Sequence, residues 1–135
     1  MSSFTILMAD DDQDDQMILR DSIVDISTTA ELQFAMNGEE AMTLLEQGYV
    51  QQRLPMLIVL DLNMPLMNGP QTLAAIKNDA RFDSIPVIIY STSINRLEKE
   101  KCLRLGAQAY WVKPISYQES RTIAQKFLEA CGGPH

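Results

Sequence analysis

The sequence predicts a doubly wound α/β domain, in which helices cover both faces of a five-stranded parallel sheet. Short apolar runs alternate with longer amphipathic stretches five times along the 135 residues. This alternation implies right-handed crossovers, which make the sheet parallel and place helices on both of its faces. The composition, 46% hydrophobic and 21% charged, is that of a folded globular chain. Because the length suits one domain and no repeat or linker interrupts it, we expect a single domain over residues 1–135.

The first half of the chain contains two strand–helix units. Residues 5–9 form an apolar run that stops at a series of acids, which is typical of a central strand buried on both faces. Residues 14–26 predict a helix whose inner face carries Ile18, Leu19, Ser22, Ile23 and Ile26. Residues 31–35 then predict the second strand. Residues 39–49 predict the second helix, with Ala41, Leu44, Leu45 and Gly48 on one side.

The third unit begins with the longest apolar run. Residues 54–62 predict a strand that again ends at an acid, Asp61. Residues 63–69 have the composition of a loop. Residues 70–77 predict the third helix, which starts at a proline, a residue suited to the first turn of a helix. Residues 86–90 predict the fourth strand.

The last two units complete the alternation. Residues 94–105 predict a charged helix, closed by Gly106 at a C-cap position. Residues 109–112 predict the fifth strand. Residues 117–130 predict the last helix, which should bury Ile123, Ala124, Phe127 and Leu128. We expect residues 131–135 to form a frayed tail.

Four of the five predicted strands end at side chains capable of chemistry, which are Asp10 and Asp11, Asp61, Ser91 and Lys113. The carboxyl ends of parallel strands share one edge of the sheet, where doubly wound folds bind their ligands. If the first and third strands are neighbours, their spacing of about 5 Å brings three carboxylates together. Such a cluster favours a cation, and oxygen ligands suit Mg²⁺, with Mn²⁺ as a possible substitute. A lysine and a hydroxyl at the same edge suit the oxygens of a phosphoryl group, and a carboxylate can act as the nucleophile.

Four motifs in this order resemble the receiver domain of two-component response regulators. They are ILMADDD, VLDLNMPLMNG, YSTS and AYWVKP, and they extend over nearly the whole chain. None of them is specific alone, but the combination at these separations is highly specific. The resemblance implies a CheY-like fold of the flavodoxin-like class, with strand order 2-1-3-4-5.

The resemblance also implies a role for each acidic position. Asp61 corresponds to the phosphoacceptor, which becomes an aspartyl phosphate. Asp10 and Asp11 correspond to the acidic pair that holds Mg²⁺ together with Asp61. Asn63 would contribute its backbone carbonyl to the same ion.

Three further residues match the family's phosphate-binding and switch positions. Lys113 corresponds to the phosphate-binding lysine, and Ser91 to the hydroxyl residue that moves onto the phosphate. Tyr110 corresponds to the aromatic residue that swings inward with it. The family pattern implies a cis bond between Lys113 and Pro114, which proline permits. Thr92 stands where the smallest residues are common, so it could crowd access to Asp61 and change the lifetime of the phosphate.

The resemblance implies a signalling domain rather than an enzyme that turns over a substrate. Its phosphoryl donor would be a sensor histidine kinase or a histidine phosphotransfer protein. The surface of the fourth helix, fifth strand and fifth helix would then change, for an unknown downstream protein or for phosphorelay. Tyr110, Trp111 and residues 96–104 offer a surface for such a partner or for a homodimer.

Bulk properties exclude several other classes of protein. A net charge of −7 repels polyanions, so we expect no nucleic-acid binding by this domain. No apolar stretch approaches the ~20 residues of a membrane helix, and Asp10 comes too early for a signal peptide. Cys102 and Cys131 lack metal-binding or disulfide spacing, and we expect both to be reduced and packed on helices. These features predict a cytoplasmic protein without membrane contact.

Two alternatives remain at the level of sequence. A magnesium-dependent phosphohydrolase with an aspartate nucleophile would use similar strand-end carboxylates. It would need a general acid two residues after Asp61, where Asn63 stands instead. A receiver-like binding module that acts without phosphorylation is the other alternative, although all the residues for phosphorylation are present.

Overall fold

The computed structural model describes residues 3–132 and contains one five-stranded parallel sheet. Its strands are β1 (Phe4–Ala9), β2 (Ala30–Ala35), β3 (Leu57–Leu60), β4 (Val87–Ser91) and β5 (Ala109–Val112). They lie side by side in the order β2-β1-β3-β4-β5. The predicted fold class and strand order are therefore confirmed, and the winding direction reverses between β1 and β3.

Five helices connect and follow these strands. They are α1 (Gln13–Ile26), α2 (Gly38–Val50), α3 (Gly69–Lys77), α4 (Arg96–Arg104) and α5 (Tyr117–Ala130). Each begins where a polar side chain accepts a hydrogen bond from an amide of the first turn, and these N-caps are Asp12, Asn37, Asn68, Asn95 and Ser116. The caps explain why four helices begin near the predicted positions and why α4 begins at Arg96 rather than at residue 94.

The sheet separates two apolar layers, because successive strand residues point to opposite faces. One layer is formed by α2, α3 and α4 and includes Ala41, Leu45, Leu73, Ile76 and Cys102. The other is formed by α1 and α5 and includes Leu19, Ile23, Ile123, Phe127 and Leu128. Both cysteines are free and buried, as the sequence predicts. With both faces covered, the strand ends remain accessible at the edge of the sheet.

Some local predictions are wrong for identifiable reasons. Ile18 is 48% exposed, because α1 turns its inner face toward the core through Leu19 and Ile23. β3 covers only Leu57–Leu60 instead of residues 54–62. The chain leaves the strand at Asp61, whose carboxylate accepts a hydrogen bond from the Leu62 amide at 2.8 Å. The Leu62 amide is therefore bonded to this side chain instead of to a neighbouring strand.

Other local features concern the connections and the chain ends. Gly106 follows α4 with φ +111, the left-handed conformation expected at a C-cap. The Lys113–Pro114 bond is trans, so the cis bond implied by the family pattern is not found. A peptide bond before proline prefers the trans form only slightly, so the surroundings decide between the two forms. Of the predicted tail, residues 133–135 lie outside the described residues. Among residues 3–132, no helix combines the length and apolarity needed to cross a membrane.

Candidate functional site

The register of the central strands brings two acids to the same edge of the sheet. Ala9 of β1 pairs with Leu60 of β3, so that Asp10 and Asp61 leave the sheet side by side. The Asp61 amide donates to the Ala9 carbonyl at 2.9 Å, and the Asp10 amide donates to the Ala35 carbonyl at 2.9 Å. Both backbones are therefore held by the sheet, while their carboxylates extend beyond it.

Three carboxylates converge at this edge. Oxygens of Asp10, Asp11 and Asp61 lie within 4.8 Å of one another. Asp10 is fully buried, whereas Asp11 is exposed to solvent. The donor set consists of carboxylate oxygens with one open side, which is the chemistry that hard divalent cations prefer. The arrangement fits a divalent metal site.

Burial in this cluster makes the carboxylates harder to ionise. Burial raises the pKa of Asp61 to about 6, and the charges of Asp10 and Asp11 add to the rise against the opposing effect of Lys113. Burial also raises the pKa of Asp10, although hydrogen bonds from Lys113 and from the Asp12 amide oppose it. A bound cation would relieve this destabilisation of the two carboxylates.

Lys113 supplies the positive charge of the site. Its backbone amide donates to the Ser91 carbonyl at 2.8 Å, which ties the end of β5 to the end of β4. Its side-chain nitrogen, Nζ, lies 2.7 Å from Asp10 Oδ2 and 3.6 Å from Asp61 Oδ2. Burial lowers the pKa of Lys113, but hydrogen bonds to Asp10 and Asp15 outweigh it and raise the pKa overall. The ammonium group therefore stays charged next to the nucleophile candidate.

Asp15 is a site residue that sequence reasoning missed. Its Oδ2 lies 2.8 Å from Lys113 Nζ, although the two residues are 98 positions apart in the sequence. The available signal was the run of acids after β1, in which Asp12 caps α1 and Asp15 falls in its first turn. Only the folded position of Lys113 distinguishes Asp15 from its neighbour Asp14.

Ser91 and Tyr110 are connected through Ser93. Ser91 is buried at the end of β4, and its Oγ accepts a hydrogen bond from the Ser93 amide at 3.2 Å. The Tyr110 hydroxyl donates to the Ser93 carbonyl at 2.8 Å, with its ring buried in the α2–α4 layer. Tyr110 therefore occupies an inward position in this structure. Thr92, between the two serines, is exposed.

The loop after Asp61 holds the predicted carbonyl ligand. Asn63 is exposed in this loop and lines a small cavity together with Asn68, Pro70 and Glu98. Gly69 begins α3 directly against the backbone of Asp61, and a Cβ at this glycine would lie 2.4 Å from the Asp61 carbonyl oxygen. The absence of a side chain at position 69 is what allows α3 to approach the acid so closely.

Comparison with known proteins agrees with this geometry. Residues 6–125 match the family described as the response regulator receiver domain. Response regulator Rcp1 of Synechocystis sp. is 31% identical over 122 residues, which cover 89% of this chain and 83% of that protein.

Two solved structures share the fold over most of both chains. The phosphorylated cyanobacterial phytochrome response regulator RcpA has a TM-score of 0.85 at 29% identity, over 94% of this chain and 95% of that one. The Mn²⁺-bound form of Rcp1 has a TM-score of 0.79 at 29% identity, over 91% of this chain and 90% of that one. Together with the strand order and the acidic cluster, the family match leads to one conclusion: the chain belongs to the response regulator receiver domain family.

Proposed function

We propose that this receiver domain accepts a phosphoryl group on Asp61 from the histidine of a sensor kinase or phosphotransfer protein, with Mg²⁺ as the metal. The observation that carries the proposal is the position of the Lys113 ammonium group, 3.6 Å from Asp61 Oδ2 and at the edge of the three-carboxylate cluster. An ammonium group and a divalent cation on one carboxylate provide the charge neutralisation that phosphoryl transfer requires.

The transfer needs little besides positioning. An oxygen of the Asp61 carboxylate attacks the phosphorus, the bond from phosphorus to the donor nitrogen breaks, and its electron pair stays on the imidazole. Mg²⁺, held by Asp10, Asp11, Asp61 and the Asn63 carbonyl, would neutralise the phosphoryl oxygens. Lys113 donates hydrogen bonds to the same group. With a pKa of about 6, Asp61 is ionised at neutral pH and can act as the nucleophile.

The switch proposal rests on Ser91 and Tyr110. The Ser91 hydroxyl accepts the Ser93 amide and keeps its own proton available for an oxygen of the phosphoryl group. Because Tyr110 is held to the Ser93 carbonyl, movement of Ser91 would be passed to Tyr110 and to the start of α4. We infer that a downstream protein reads the resulting surface of α4, β5 and α5. A groove along this surface is lined by Trp111, Gln118, Thr122 and Lys126.

The free, buried thiols of Cys102 and Cys131 support a cytoplasmic location. Reduced cysteines are the rule in that compartment, whereas exported proteins commonly pair them in disulfides.

Phosphorylation with a small donor tests the proposal directly. The protein is incubated with acetyl phosphate and Mg²⁺, and the phosphorylated fraction is measured by intact mass and located by peptide mapping. We expect one acid-stable, base-labile phosphate on Asp61, which is absent from Asp61→Asn and from samples with excess chelator. Asp14→Asn is the matched control, because Asp14 is an exposed acid in the first turn of α1 without a contact to Lys113. Equal labelling of Asp61→Asn and the wild type would rule the assignment out.

A further inference from the structure

Asp15 stands apart from the other acids at the carboxyl edge of the sheet. Its carboxylate contacts Lys113 Nζ at 2.8 Å, as closely as Asp10 does at 2.7 Å. Its side chain is 29% exposed, compared with 0% for Asp10 and 12% for Asp61. Asp15 is not among the three carboxylates whose oxygens lie within 4.8 Å of one another. It therefore contacts the ammonium group without belonging to the candidate metal cluster.

The ammonium group of lysine has three N–H donors. In Lys113 one is used by Asp10 and one by Asp15, and both distances are those of charge-assisted hydrogen bonds. Asp61 Oδ2, at 3.6 Å, is beyond hydrogen-bond distance. Two of the three donors are therefore occupied, which leaves the third for an oxygen of a phosphoryl group on Asp61.

If a cation bound the cluster, Asp15 would be a carboxylate that contacts Lys113 without also contacting the metal. Asp10 belongs to both the cluster and the ion pair, so its charge would be shared between the metal and the ammonium group. Asp15 contacts Lys113 alone among these groups. Its position is independent of the metal as well, because α1 holds it through the hydrogen bond from its amide to the Asp12 side chain at 3.2 Å.

We propose that Asp15 is a positioning residue: it holds the ammonium group of Lys113 in the orientation that meets the phosphoryl group on Asp61. This inference rests on the proposed function. Asp15 acts through Lys113 and touches neither the donor nor the phosphate. Its removal leaves the ammonium group with Asp10 as its one hydrogen-bond partner and two donors without a fixed partner, which weakens contact with the transferring group.

The test compares Asp15→Ala with Asp14→Ala, in the wild-type chain and in Lys113→Met. Both alanine variants remove one acid from the first turn of α1, so they match in charge and in position on the helix. The first measurement is the rate of Asp61 phosphorylation by acetyl phosphate with Mg²⁺. We expect Asp15→Ala to slow it by about tenfold and Asp14→Ala to change it by less than about twofold. In Lys113→Met, Asp15→Ala should add no further loss, because residues that act as one unit are not additive.

The second measurement follows the Lys113 ammonium group itself by ¹H–¹⁵N NMR in chelator. A lysine held by two carboxylates exchanges its protons slowly enough to give a signal, which should be present in Asp14→Ala and lost in Asp15→Ala. Equal phosphorylation rates in the two alanine variants would overturn the positioning role. So would a loss from Asp15→Ala that is as large in Lys113→Met as in the wild-type chain. A wild type that is not phosphorylated would refute the proposed function, and the ammonium signal would still decide whether Asp15 holds Lys113.

Discussion

At the scale of single residues, burial acts in opposite directions on the pKa values of Asp61 and Lys113. Burial disfavours the ionised form of Asp61 and raises its pKa to about 6, while the carboxylates around Lys113 overcome burial and raise the pKa of the lysine. The Asp61 shift comes mainly from burial, and the Lys113 shift from its hydrogen bonds to Asp10 and Asp15. An acid that is costly to ionise and a lysine that stays protonated are suited to receive a cation and a phosphoryl group.

Replacing Asp61 should stabilise the metal-free protein at neutral pH. Its pKa is about 6 when folded and 3.8 in the reference state, so ionisation is harder in the folded chain. The penalty is absent below the lower value, grows between the two, and is complete above about pH 6. We expect Asp61→Asn to raise the free energy of unfolding by about 3 kcal/mol at pH 8 in chelator, and by far less at pH 4. Urea denaturation at the two pH values measures the difference, and a gain independent of pH would contradict the stated cause.

At the scale of secondary-structure elements, the contact between α3 and β3 and the capping of α4 shape the surroundings of the site. α3 begins against the backbone of Asp61, with Gly69 at the point of contact. α4 depends more on its cap than the other helices do, because its buried residue is Cys102 alone while α5 buries five residues. Asp61 therefore lies between the tightly packed start of α3 and the weakly anchored helix α4.

Gly69→Ala should destabilise the fold and displace Asp61. The new Cβ would lie 2.4 Å from the Asp61 carbonyl and 3.0 Å from Leu62 Cα, and backbone atoms at both positions cannot move away cheaply. We expect a loss of about 2 kcal/mol in the free energy of unfolding, together with shifted amide signals at Asp61 and Leu62. Helix propensity alone would favour alanine, so unchanged or increased stability would show that the close approach does not constrain the chain.

Removing the cap of α4 should loosen that helix locally. The Asn95 side chain accepts hydrogen bonds from the Leu97 amide at 2.9 Å and the Glu98 amide at 3.1 Å. We expect Asn95→Ala to cost about 1 kcal/mol and to accelerate amide exchange in α4 before any other helix. Asn37→Ala, at the start of α2, is the comparison, because α2 is anchored by several buried residues. Uniform acceleration across the whole chain would argue against a weakly anchored α4.

At the scale of the whole molecule, a divalent cation would link the carboxyl ends of the two central strands, β1 and β3. Asp10 and Asp11 follow β1, and Asp61 follows β3, so one ion would connect residues that are 50 or 51 positions apart in the sequence. A net charge of −7 also favours cation binding over anion binding at the surface. Metal binding and global stability should therefore be coupled.

Mg²⁺ should stabilise the wild type and fail to stabilise Asp11→Asn. At a concentration 100 times the dissociation constant, a ligand that binds only the folded state adds about 2.7 kcal/mol. Asp11 is exposed and no hydrogen bond holds its side chain within the described residues, so its replacement should leave the metal-free protein nearly unchanged. Thermal unfolding with and without Mg²⁺ compares the wild type, Asp11→Asn and the control Asp14→Asn. Equal stabilisation of all three would contradict a site built on Asp11.

Local patterns determined most of the architecture. The order of the elements follows from hydrophobic periodicity, and α5, β5 and the C-cap at Gly106 agree with the predicted positions because each has a clear start or stop signal. Local patterns did not determine the rotation of α1 about its own axis. Ile18 and Leu19 are equally apolar, and only packing against the sheet selects Leu19 for the core.

The sequence by itself determined the fold class, the strand order through the family motifs, and the set of polar residues that end the strands. Only the tertiary structure decided the roles of the acids that follow Asp10 and Asp11: Asp12 caps α1, and Asp15 contacts Lys113. The physical reason is that periodicity and propensity act between residues close in sequence. The contact between residues 15 and 113 depends on the relative placement of two elements, which sheet pairing and helix packing set together.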